Sequence, residues 1–287
     1  MASLRDIRVR IGSIKNTRQI TNAMKMVSAA KLRRATEAAT SARPYQQRLT
    51  ATLSRVAASA GDIEHPLLTR REHVSKVLVV WVTSDRGLCG GFNNTLNRRT
   101  LDFVKKLKEQ GKTVEIRTFG KKARDFARIR GLENAAVRID VKPAKFQDEV
   151  LALATTLTQG FADGTYDEVY LAYNAFKSTL NQVPSFPRVL PLSLEGAAAD
   201  VGGPEFKYEP SGREILGVLL PLYLRTLLLQ TFLENEAGEH ASRMAAMDNA
   251  TRNANDLIKS LTLEYNRGRQ AAITKELIEI VSGAEAL

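Results

Sequence analysis

Across 287 residues there is one cysteine, Cys89. No intrachain disulfide can form, which excludes the disulfide-stapled secreted scaffolds and fits a reducing compartment. Aromatic residues reach only 6%, so the expected elements are helix-rich and packed by aliphatic side chains. The three histidines, His65, His73 and His240, sit at spacings that fit no metal site. Asp85, Asp163 and Asp167 form no recognisable acid–base pair. Acidic residues are nearly missing from the start: residues 1–58 hold 12 Lys or Arg against 2 Asp or Glu, whereas residues 210–287 hold 8 against 10. The net charge of +11 therefore belongs to one segment. Such a segment meets acidic partners: nucleic acid, anionic lipid or acidic protein loops. Its bland alternative is a solvated helix face, and no interleaved aromatics or reading motif point to nucleic acid. An Arg-rich start also raises the possibility of a transit peptide, but a regular apolar seam already runs through it. Long apolar runs are lacking too. "ILGVLLPLYLRTLLLQTFL", from Ile215, is broken by Pro221 and Arg225, and reads as a helix buried within protein rather than a membrane span.

What is present is a helical rhythm at both ends. Met244, Met247, Thr251, Ala254, Ile258, Leu261 and Tyr265 step by three and four between mostly polar residues, the narrow seam of a coiled coil. The rhythm continues past Tyr265 through Gly268 and Ala272. Meanwhile Leu277, Ile278, Ile280 and Val281 spread apolar surface around the axis, which other protein must enclose. At the start, Leu4, Ile7, Ile11 and Ile14, and later Ala42, Tyr45, Leu49, Thr52 and Val56, step in the same way. Between them lie Ile20, Met24, Val27 and many alanines, small enough to let another helix approach. Pro44 is expected to bend this helix locally. The two helices measure roughly 85 and 110 Å if unbroken, so part of the second has no intramolecular mate.

The middle changes rhythm. "KVLVVWVT", from Lys76, and "TVEIRTFG", from Thr113, are strands. Val137–Val141, "DEVYLAYN" from Asp167 and "RVLPLSL" from Arg188 are further strand candidates. Helices are read at "FNNTLNRRTLDFVKKLKEQG", at "KKARDFARIRG" and over 146–161. This alternation predicts a mainly parallel, doubly covered sheet. The fold class is thus α/β: a long antiparallel coiled coil of N- and C-terminal helices with an inserted Rossmann-like α/β domain. The boundaries read as 1–58 for the first helix, 59–75 for a linker, 76–209 for the α/β domain and 210–287 for the last helix.

The loop "VTSDRGLCGGFN", from Val82, follows a strand and precedes a helix, where phosphate-binding loops sit. Its glycines, Gly87, Gly90 and Gly91, match neither dinucleotide nor P-loop spacing. Two readings stand: a phosphate cradle, or a tight turn with Asn93 or Asn94 capping the helix. Cys89, with no nearby histidine, is a weak candidate thiol.

"RIGSIKNTRQITNAMKMVSAAKLRRA", from Arg10, and "ITKELIEIVSGAEAL", from Ile273, resemble the two ends of the γ subunit of F-type ATP synthases, and "SDRGLCGGFN" resembles that family's central loop. The resemblance implies a central rotor shaft with no chemistry and no cofactor of its own. It implies partners in the α3β3 hexamer, the ε subunit and the c-ring, and no nucleic acid. It implies a place on the cytoplasmic face of a bacterial inner membrane, reached only through partner subunits, where the shaft couples proton transport to ATP synthesis or hydrolysis. Carried over by position, Met24, Lys25, Lys31 and Arg34 face β. Arg269, Gln270, Thr274 and Glu276 are upper contacts with the ring, and Leu277, Ile278, Ile280 and Val281 suit an apolar sleeve. Tyr208 and Glu209 resemble the foot on the c-ring. Plastid members carry an inserted cysteine pair; with Cys89 alone the chain resembles the bacterial type.

Overall fold

The structure, a computed structural model, describes residues 3–59, 65–132, 134–193 and 212–285. Two compact units share the chain: Met1–Ala29 with Arg243–Leu287, and Ala30–Ser242. Two helices contribute to both, α1 (Leu4–Ser59) and the C-terminal α5 (Gly212–Glu285). Each accommodates a proline. Pro44 and Pro221 deprive the carbonyls of Thr40 and Gly217 of their usual donor, and both of those residues are exposed to water.

The second unit is built on a sheet ordered β3-β2-β1-β4-β5. Its strands β1 (Lys76–Val82), β2 (Thr113–Phe119), β3 (Asn134–Arg138) and β4 (Glu168–Phe176) are parallel. Two short strands, β5 (Gln182–Ser185) and β6 (Arg188–Leu190), run antiparallel along the outer edge of β4. Strand β3 therefore lies earlier than the expected 137–141.

Alternation along β1 divides the core. Val77, Val79 and Trp81 face one layer, in which α2 (Phe92–Glu109) contributes Leu96, Val104 and Leu107, and α3 (Lys121–Ile129) contributes Ala123 and Ala127. Leu78, Val80 and Val82 face the other. There α4 (Phe146–Ala162) supplies Val150 and Leu157, α1 supplies Leu49, Leu53 and Val56, and α5 supplies Leu216, Leu220, Leu224, Leu228 and Phe232. The apolar run that opens α5 has the length and composition of a membrane span, yet its leucines at 216, 220, 224 and 228 are completely buried in this core. On α1 the buried line passes through Gln46, Leu49 and Leu53. Tyr45 and Thr52, expected on it, are exposed, because the step from Ala42 is four residues rather than three.

The segment between α1 and β1 is anchored to this unit. Leu67 is buried in the core, and Leu192 donates its N–H to the Leu67 carbonyl. Asp167, at the foot of β4, gathers four donors. Arg71 Nη1 reaches it at 2.6 Å, Lys76 N at 2.7 Å, Ser75 N at 2.8 Å and Ser75 Oγ at 3.0 Å. Burial alone would raise the carboxyl's pKa; the bonds from Lys76, Arg71 and Ser75 outweigh it and lower the value from 3.8 to about 2. The fold thus holds the ionised form, and its contribution, about 2 kcal/mol, is complete above the ordinary 3.8 and lost as the pH falls through the folded value. Replacing Asp167 by Asn should destabilise the protein by at least that amount at neutral pH. It should also flatten the acid limb of stability between pH 4 and 2, as read by urea unfolding across that range.

Candidate functional site

The first unit is a two-helix coil. Leu4, Ile7, Ile11, Ile14, Arg18, Thr21, Lys25 and Ser28 form the inward line of α1, while Ile20 and Val27 point to solvent at 61% and 56% exposure. The three-four ladder set by Ile7 and Ile14 continues through polar Thr21 and Ser28. On α5, Met247, Ala254 and Leu261 are buried, and Met244, Thr251, Ile258 and Tyr265 are half-buried between them, followed by Gly268 and Ala272.

Polar contacts fix the direction and register. Lys25 Nζ lies 2.6 Å from Asp248 Oδ1, the hydroxyls of Thr21 and Thr251 are 2.8 Å apart, and Arg18 donates to Asn255 Oδ1 at 3.2 Å. At the end of α1, Gly268 lies so close that a Cβ there would be 3.0 Å from Leu4 Cδ2. As the α1 number falls from 25 to 4, its partner on α5 rises from 248 to 268, so the helices are antiparallel. The hydrogen bond from Lys25 is the main cause holding the Asp248 carboxyl below its ordinary pKa. Polar layers of this kind specify register at some cost in stability.

Past Gly268 the character changes. Every described side chain from Ile273 through Ser282 is exposed, including Leu277, Ile278, Ile280 and Val281. Arg269, Gln270, Thr274 and Glu276 are exposed on the same stretch, as are Lys31 and Arg34 on α1, with Met24 half-buried. Tyr208 and Glu209 lie outside the described residues.

The end of β1 and the glycine-containing loop that follows it are tied to the neighbouring helices by side chains. Asn93 does not cap α2. Its amide bonds Ser84 Oγ at 2.7 Å and Cys89 Sγ at 3.2 Å, while its carbonyl oxygen accepts the Ser84 N–H. At the start of α3, the Lys121 N–H goes to Asp85 and the Ala123 N–H to Thr83 Oγ1. Gly120, at φ +101°, packs so tightly that a Cβ would sit 2.4 Å from the Thr83 carbonyl oxygen. These bonds tie the end of β1 to the starts of α2 and α3, and the tight turn is the better supported of the two readings.

Two helices from opposite ends of the sequence, paired antiparallel, with an α/β domain inserted between them in the chain and exposed apolar residues near the end of the longer one, define the class of the fold. Comparison with known sequences places it further. A family model described as ATP synthase matches residues 3–287. The ATP synthase gamma chain of Hyphomonas neptunium is 49% identical over 295 residues, and that of Anaeromyxobacter sp. (strain Fw109-5) is 49% identical over 290, each alignment covering all of both chains. Among solved structures, a chain of the Tetrahymena thermophila mitochondrial ATP synthase central stalk and c-ring is similar. It has a TM-score of 0.59 and 27% identity, covering 80% of this chain and 99% of that one. A chain of the Euglena gracilis mitochondrial enzyme shares the fold, with a TM-score of 0.62 at 19% identity over 99% of this chain and 94% of that one. The chain belongs to the family of ATP synthase gamma chains.

Ile258 is half-buried in the seam between buried Ala254 and Leu261. Ile258→Asp should lower the stability of the coil by at least about 2 kcal/mol, whereas Ser260→Asp, at an exposed position two residues on, should cost little. Thermal melts of helical circular dichroism on the two purified variants check this; equal melting points would contradict the seam.

Proposed function

We propose that the protein is the central rotor shaft of an F-type ATP synthase. It couples proton-driven turning of a c-ring to conformational change in catalytic β subunits, and performs no chemistry itself. The observation that carries this reading is the bare end of α5. α1 begins at Leu4, opposite Gly268, and α5 continues to Glu285, roughly 25 Å further at 1.5 Å per residue. An isolated helix that exposes Leu277, Ile278, Ile280 and Val281 at 57–68% is stable in water only when other protein surrounds it. A socket formed by an α3β3 ring supplies that enclosure. Apolar contact there is non-directional, so the tip turns without breaking specific bonds.

The basic N-terminal helix supports the same arrangement. Lys31 and Arg34 are exposed and available to acidic loops of β, and attraction across a wet gap tolerates changing register. Lys25 shares its charge with Asp248, so its part is to set the coil as much as to face β. Arg269, Gln270, Thr274 and Glu276 are placed to meet the ring above the last paired turn. Tyr208 and Glu209 remain the proposed foot on the c-ring, beside an ε subunit, at the cytoplasmic face of a bacterial inner membrane.

The direct test reconstitutes the chain with α and β subunits, fixes the hexamer to a surface and attaches a bead to the α/β domain. Stepwise rotation in one sense on addition of ATP is expected, stopping when ATP is exhausted. A bead that only diffuses, in complexes that hydrolyse ATP at the normal rate, would contradict the reading.

A further inference from the structure

α5 meets the α/β domain in two ways. Leu216, Leu220, Leu224 and Leu228 form a completely buried aliphatic stripe against the core. Burial of this kind is strong but has no preferred direction, so by itself it resists a helix rolling about its axis only weakly. Further along, the contact changes. Glu234 sends one carboxylate oxygen to the N–H of Phe176, the last residue of β4, at 3.3 Å; the other accepts from Gln230 Nε2 at 2.9 Å. The side chain is only 15% exposed. Arg43 of α1 stands 3.9 Å away and half exposed, beside a cleft of about 450 Å³ between the two helices. Solvent screens that pair, as it does the exposed bond from Arg225 to Gln147 of α4, whereas the Phe176 bond is directional and made by a carboxylate largely shielded from water.

One turn on, Gly238 brings the α5 backbone against the domain itself. A Cβ there would lie 2.9 Å from the buried Phe92 ring and 3.3 Å from Gln182 Cγ. Phe92 opens α2, and Gln182 opens β5 opposite Phe176. Asn174 Nδ2 donates to the Phe92 carbonyl at 3.0 Å and ties β4 to α2 at the same place. Residues four apart share one helix face, so the bond and the close approach act together.

We propose that Glu234 and Gly238 form a torque-bearing joint that locks the shaft helix to the α/β domain. The proposal rests on the rotor reading and specifies where that rotor resists twist. Rolling α5 must break a charge-assisted hydrogen bond and push helix backbone into the Phe92 ring. A chain that is not under load needs neither restraint to keep its leucine core.

The test uses the assembled enzyme in sealed vesicles and compares ATP hydrolysis with the pH gradient it sustains. Glu234→Ala and Gly238→Val should assemble and hydrolyse ATP, yet lose most of the gradient at equal hydrolysis. Glu234→Gln keeps an oxygen that can accept the Phe176 N–H and should retain it; Gly238→Ala should fall between. A full gradient with both Glu234→Ala and Gly238→Val would overturn the joint. So would failure of all four variants to assemble, because the role would then be one of folding. Ile258→Asp run in parallel separates the two levels. If it uncouples while the joint variants do not, the joint is wrong and the shaft stands; if none uncouples, the shaft reading falls as well.

Discussion

The register of α1 against α5 is the constraint on which everything else depends. It is set near Thr21 and Thr251, flanked by Lys25–Asp248 on one side and Arg18–Asn255 on the other. Apolar seams alone tolerate slips of whole heptads, because one aliphatic layer substitutes for another; hydrogen-bonded layers do not. A slip of one heptad moves the helices by about 10 Å. That is a large part of the length by which α5 outruns α1, so the polar layers decide how much bare helix is presented.

From that register the division of labour follows. Where α5 has a mate, its seam is narrow and its other faces are mostly polar, with Leu257 and Leu263 as exposed exceptions. Where the mate ends, apolar residues spread round the axis, and Leu277, Ile278, Ile280 and Val281 become surface that only another protein can cover. In the second unit the same two helices are buried in a different way, as aliphatic stripes against a sheet whose remaining layer is filled by α2 and α3. At the end of β1, which in other parallel sheets leads into a phosphate cradle, Thr83 and Asp85 accept from the start of α3 and Asn93 bonds Ser84. The position most often used for ligands in such folds serves here to hold α3 and β2 in place.

Much of this was legible in the sequence where periodicity is strong. The seam from Met244 to Tyr265 and the strands at Lys76, Thr113 and Asp167 were read from spacing and β-branched runs within a residue or two of their positions. Misreadings arose where composition pulled against geometry. Between Ile14 and Ala42 no seam positions were read, because there the inward line runs through polar Thr21 and Ser28 while apolar Ile20 and Val27 face solvent. Tyr45 and Thr52 yielded to Gln46 and Leu53 because the ladder there steps by four. The short β5, which contains Pro184, carries no strand pattern and was missed. The role of Asp167 was invisible because its partner Arg71 lies 96 residues away, and nothing local announces a pair that only folding creates. Glu234 and Gly238 escaped for the same reason: their partners, Phe176, Gln182 and Phe92, belong to other elements.

The proposed rotor function requires α1 and α5 to stay paired as they turn within a larger machine. A disulfide between the two helices tests it most directly. Thr21→Cys with Thr251→Cys places two thiols where hydroxyls now stand 2.8 Å apart, within the reach of a disulfide. In the assembled enzyme the bond should close under mild oxidation and leave ATP-driven proton pumping at its reduced-state level. Loss of pumping on closure, restored by reductant, would show that the two helices must move apart during the cycle, and would contradict the account.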